Sequence, residues 1–172
     1  MLSSTNICDN LAAAIATDKE IQDFCLAAWG KELTVCKGLF IGPRDKNPLE
    51  HNPFPYIEVS PDPDGENQGG RESSEDTAAV EIFICVKSRL QDFNGRPVVD
   101  KATGVLSTYF ERDLETLGFK LAAVSRRLSN EGTLGGHERT VSLQQNITGS
   151  KFPICCAILR GEYYNNPSAF DD

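Results

Sequence analysis

Residues 54–87 read FPYIEVSPDPDGENQGGRESSEDTAAVEIFICVK, and their pattern decides the fold class. Two strand-like runs, 54–60 and 78–87, bracket a Gly-, Ser- and acid-rich stretch with no apolar residue from 64 to 76. The second run alternates. Val80, Ile82, Ile84 and Val86 point to one face, and Glu81, Phe83, Cys85 and Lys87 to the other. A period of two marks a strand whose faces meet unlike surroundings. The stretch between the runs has no apolar area to bury, so it reads as a solvated loop projecting from a well-built sheet. Such a loop suits contact between molecules better than it suits chemistry.

The same region holds most of the charge. The chain carries a net charge of -8, and residues 58–81 contain Glu58, Asp62, Asp64, Glu66, Glu72, Glu75, Asp76 and Glu81 against Arg71 alone. A duplex-binding surface needs the opposite sign to displace counterions. The remaining arginines are scattered, which argues against DNA binding through a broad basic face. At 172 residues the chain fits one domain able to build a core without metals or disulfides. No apolar run approaches the roughly 18 residues that span a bilayer, so no membrane partner is expected. The amino-terminal stretch lacks a basic leader and reads as an amphipathic helix, which leads us to expect folding in a cytoplasm.

Outward from the opening stretch, Asn6 or Asp9 caps a first helix to about Trp29, with Gly30 as its stop. Residues 33–41 read as a strand, and a Pro-rich link follows to 55. Pro97 opens a second helix over 98–117, ended by Gly118. Strand-like runs at 120–128, 138–146 and 152–162 close the chain, separated by Gly-containing turns. The reading is therefore one α+β domain over 1–162, with an antiparallel or mixed sheet of about five strands and two helices packed on one face. A flexible acidic loop lies at 62–77, and 163–172 form a C-terminal tail or arm.

Candidate chemistry is sparse. The six cysteines (Cys8, Cys25, Cys36, Cys85, Cys155 and Cys156) form no CxxC pair. Only His51 and His137 could join them in a zinc site or a nucleophile pair. Cys85 and Cys155–Cys156 sit in apolar runs, where free cysteine behaves as a small hydrophobe; adjacent cysteines on a strand face opposite ways and do not readily bridge. Asp62-Pro-Asp64-Gly-Glu66 superficially suggests a calcium loop, but its glycine comes too early and arginine stands at 71. No phosphate-binding glycine motif is present. We accordingly expect no catalytic, cofactor or metal site. Arg126 and Arg127, on the strand expected at 120–128, would face opposite sides. Either one reaches a carboxylate across a subunit boundary or the pair guards an exposed edge.

The order of helix, strand, Pro-rich link with FPYIEV, polar loop, VEIFICVKS strand, long helix and closing strands resembles the tail-terminator (tail-completion, minor tail protein U-like) family of long-tailed bacteriophages and prophages. The resemblance covers roughly residues 5–162. It implies a structural protein, not an enzyme, whose subunits form a hexameric ring that caps the tail tube and joins tail to head. Implied partners are copies of itself, the tail-tube protein and the head-completion protein, with DNA passing through the ring without specific binding. The implied location is the virion tail, reached by assembly in the host bacterial cytoplasm. The interaction residues singled out are Asp62, Asp64, Glu66, Glu72, Glu75, Asp76, Arg126 and Arg127. A head–tail connector, a tail-tube protein, a cysteine-dependent hydrolase and a small-ligand or regulatory domain are the alternatives.

Overall fold

The computed structural model describes residues 2–38, 54–62, 76–89, 99–105, 112–145 and 153–165. Ser3 caps the first helix, α1 (Ser4–Thr17), by accepting the Asn6 amide proton on its hydroxyl at 3.2 Å. A second helix, α2 (Lys19–Trp29), follows after Asp18 alone. The single helix expected up to Trp29 is therefore broken. Asp18 has extended backbone, with ψ of 112°, and its carboxylate accepts from the Ile21 amide at 3.0 Å. That is N-cap geometry. The apolar spacing carries the same break, because Ile7, Leu11 and Ile15 recur every four residues while Ile21 comes six later. Gly30 ends α2 in the left-handed region, as expected.

The strands are β1 (Thr34–Lys37), β2 (Tyr56–Pro61), β3 (Asp76–Lys87), β4 (His137–Gln145) and β5 (Ile154–Asn165). They form one mixed sheet in the order β1-β2-β3-β5-β4, with β1 parallel to β2 and every other pair antiparallel. The long pairing of β3 with β5, from Asp76↔Asn165 to Lys87↔Ile154, is the spine of the sheet. Tyr163, Tyr164 and Asn165 thus belong to β5. The C-terminal arm expected from 163 onward does not begin there.

The third helix corrects the largest misreading. Residues 99–105 are not helical: Asp100 Oδ1 accepts the Ala102 amide at 2.8 Å, the Gly104 amide returns to the Asp100 carbonyl at 2.7 Å, and Val105 is 58% exposed. Aspartate hydrogen-bonding the backbone two residues on is a turn device that competes with helix. Helix α3 instead runs Arg112–Glu131 and includes the 120–128 segment expected as a strand. Leu114, Leu117, Leu121, Val124 and Leu128 form its buried stripe. Gly118, expected as a stop, lies inside the helix, where a Cβ would meet Leu143 Cδ2 at 2.8 Å. The glycine lets α3 approach β4 closely.

Among the described residues three helices, rather than the two expected, join the core on one face of the sheet. Ile57, Val59, Val80, Ile82, Ile84, Val86, Ala157 and Leu159 meet Ile7, Leu11, Ile15, Ile21 and the α3 stripe there. Each fully buried leucine or isoleucine contributes about 1.5–3 kcal/mol. The alternation read from residues 80–87 is borne out, since the even positions face the helices. Several expectations fall outside the described residues: 39–41 of the first strand, the Pro-rich link at 42–53 with His51, the acidic loop at 63–75, the helical positions 98 and 106–111, and the tail at 166–172. No described helix is long and apolar enough to cross a membrane.

Candidate functional site: the root of the acidic loop

Strands β2 and β3 pair up to Pro61↔Val80, and the acidic segment joins them beyond that point. Past the end of β2, residues 76–79 of β3 continue with 162–165 of β5, and the start of β4 pairs on the far side of β5. The chain therefore enters the acidic segment from Asp62, level with the base of a three-stranded projection, and rejoins the sheet at Asp76, at its far end.

Asp62 stands at the first root. Its amide donates to the Ala79 carbonyl at 2.9 Å, extending the ladder by one bond. Its side chain, 12% exposed, takes the Arg160 Nε proton on Oδ2 at 2.8 Å. Arg160 also donates through a terminal nitrogen to Glu162 at 2.5 Å, and the Thr140 hydroxyl donates to the other Glu162 oxygen at 3.4 Å. The Arg160 hydrogen bond holds the Glu162 carboxyl below its ordinary value, against the smaller opposing effect of desolvation. Beside this chain of charges, Arg139 stacks over the Tyr164 ring at 5.9 Å, and His137 lies 5.5 Å from the same ring. Arg139 and Glu162 border a recess of about 100 Å³ with Thr77, Ala78 and Tyr163.

Asp62, expected among the solvated acids, is largely buried in an ion pair. Because a charge-assisted hydrogen bond is lost while Arg160 keeps Glu162, Asp62→Ala is expected to lower unfolding free energy by about 1–2 kcal/mol. Urea titration of the single variants and of Asp62→Ala with Arg160→Ala checks this. The double variant should cost less than the two singles added together.

Asp76 opens β3 opposite Asn165, and Asp64, Glu66, Glu72 and Glu75 lie outside the described residues. Arg126 and Arg127 are elsewhere and do not sit on a strand. Both are on α3, in the helical layer. Arg126, 74% exposed, lies 3.6 Å from Glu138 of β4, and Arg127 reaches the Asp18 cap at 3.2 Å. Arg127 borders a groove of about 470 Å³ between α2 and α3, where Lys120 pairs with Glu20 at 2.7 Å and Phe119 is largely exposed. Both arginines thus have carboxylate partners within the chain.

Arg160 and Glu162 were missed because they sit in an apolar run. Their spacing of two, which puts them on one face of a strand, was the available signal. On the opposite face Tyr163 lies against the helices. Ser125 of α3 donates to Glu138 at 2.8 Å, so the Tyr163 hydroxyl donates to Ser125 at 2.9 Å. Burial pushes the Tyr163 phenol up to about 12, with the Ser125 bond opposing the rise. It therefore serves as a neutral donor.

The six cysteines are free thiols, and all but Cys36 are buried. Burial pushes the Cys25 thiol up to about 12, and Cys36 is raised by burial and then by Glu58. These thiols are poorly suited to attack. Among the described residues no group of three or more His, Cys, Asp or Glu side chains is placed to hold a metal ion. No protein-family model matches the chain, and no curated protein matches it significantly.

Proposed function

We propose that this chain is a structural assembly subunit of the tail-terminator type, building a ring that caps a phage tail tube and joins it to the head. The observation that carries the reading is the placement of the acidic segment. It leaves the sheet at the end of the β2–β3 hairpin, from a root held by the Asp62–Arg160 pair, while the helices occupy the sheet face that buries the core. Of the features that prompted the resemblance, FPYIEV and VEIFICVKS lie on adjacent strands of the sheet. The long helix, by contrast, stands at Arg112–Glu131 instead of 98–117 and takes in one of the closing strands expected.

Physical chemistry gives the loop two roles in a ring. Facing the lumen, its carboxylates repel DNA phosphates and keep passing DNA from adhering. On a flat ring face, it supplies a contact for tube or head protein. Both roles make the loop dispensable for folding and necessary for assembly. Replacing residues 64–75 by a short Gly-Ser turn is expected to leave the unfolding free energy, from urea titration, within about 0.5 kcal/mol of wild type. The same variant should lose the capacity to stop tube growth and to form joined particles, scored by electron microscopy of a complementation lysate. Normal particles would remove the loop from the functional argument. Self-polymerisation of the purified chain into long tubes would instead mark it as the tube protein.

A further inference from the structure

The sheet face away from the helices holds a second pair of groups whose placement is specific. Cys85 of β3 and Cys156 of β5 are directly opposed across the central antiparallel ladder. Opposed residues in such a ladder have Cα atoms about 4.5–5.5 Å apart, inside the span a disulfide bridges. The two sulfurs are in contact at 2.7 Å, both residues are about 3% exposed, and both thiols are free. Cys155, the next residue along, lies in the core on the helix side, opposite Val86 in the ladder.

We infer that Cys85 and Cys156 form an oxidisable dithiol, a modification site at which a small two-electron oxidant of the peroxide class closes a cross-strand disulfide. One thiolate attacks a peroxide oxygen, breaking the O–O bond to give a sulfenic acid and, after protonation, one water. The other sulfur then attacks the sulfenic sulfur, forming the S–S bond and releasing the second water. Two thiols are oxidised by two electrons and one peroxide is reduced to two waters, with both thiol protons carried into the products. Contact with Cys156 and burial both hold the Cys85 thiol in its protonated form, while the Tyr56 hydroxyl, hydrogen-bonded to Cys85, favours the thiolate. Oxidation is therefore slow and selective by position rather than by reactivity. Once closed, the bond ties together the two strands that form the spine of the sheet and encloses α3 and β4 in the covalent loop.

The test treats the native full chain with hydrogen peroxide, blocks remaining thiols, unfolds the product and maps its tryptic peptides. The expected result is a cross-link between peptides 72–87 and 152–160, reversed by dithiothreitol, with a melting temperature raised by about 10 °C. Cys155→Ser keeps the cross-link, and Cys156→Ser abolishes it. Should Cys156→Ser fail to fold, fragmentation of the wild-type cross-linked peptides assigns the sulfur directly. Full alkylation of Cys85 after unfolding at every peroxide dose would overturn the inference. So would a link that survives Cys156→Ser and disappears in Cys155→Ser.

Discussion

Gly161→Val is expected to lower unfolding free energy by about 3–5 kcal/mol, combining overpacking with the loss of a buried hydrogen bond. Gly161 stands on β5 between Val80 and Val141, its Cα facing the helices. The Tyr163 ring folds back over it. A Cβ at this position would run into the Tyr163 hydroxyl and lie 2.7 Å from Cζ and 2.8 Å from Cε2, so the hydroxyl end of the ring has to move. Moving the ring breaks the hydroxyl contact with Ser125, one of the ties from α3 to the sheet. Tyr163→Phe keeps the ring and removes only the hydroxyl, so its cost should be about 1–2 kcal/mol. Urea unfolding followed by circular dichroism separates the two. A Gly161→Val loss below about 1 kcal/mol would mean that the ring swings away freely, contrary to the packing described.

Leu121→Ala is expected to cost about 2–5 kcal/mol, because the side chain is fully buried in the middle of the α3 stripe. Val105→Ala, at an exposed turn position, should fall within about 0.5 kcal/mol of wild type. The pair tests the placement of the third helix. A helix over 98–117 would make Val105 part of a buried face and leave 121 in a strand beyond it. Equal costs at the two positions, or a larger one at Val105, would contradict α3 as described.

How legible these features were depends on how far each is set by neighbouring residues. The β3 alternation was legible because every second side chain from Val80 to Val86 meets the same helical layer. The last two strands were legible as runs bounded by turn-forming residues. The third helix was not. Gly118 fits the local rule for a helix end, but the rule is overridden by contact with Leu143, some 25 residues away in sequence and invisible without the fold. Once the helix was ended there, its second half had to be read as something else. Asp18 is the converse case: a local cap signal was present, and the six-residue step from Ile15 to Ile21 agreed with it.

The candidate site divides in the same way. That an acidic stretch lies between two strands was plain from composition. That Asp62 belongs to the sheet, fixed by Arg160 from a strand nearly a hundred residues later, depends on the β2-β3-β5 order, and the run of elements along the chain does not specify that order. Arg126 and Arg127 moved from a strand to a helix and gained the intrachain partners Glu138 and Asp18. A role for these two arginines between subunits loses its motivation. The loop root keeps its own.

Ring assembly is the centre of the proposal, and mass in the native state tests it most directly. Native mass spectrometry of the full chain, alone and mixed with the tail-tube protein encoded in the same genome, should give a closed oligomer of about six 18.9 kDa subunits in at least one condition. A strict monomer in both, with no engagement of the tube protein, would contradict the proposal.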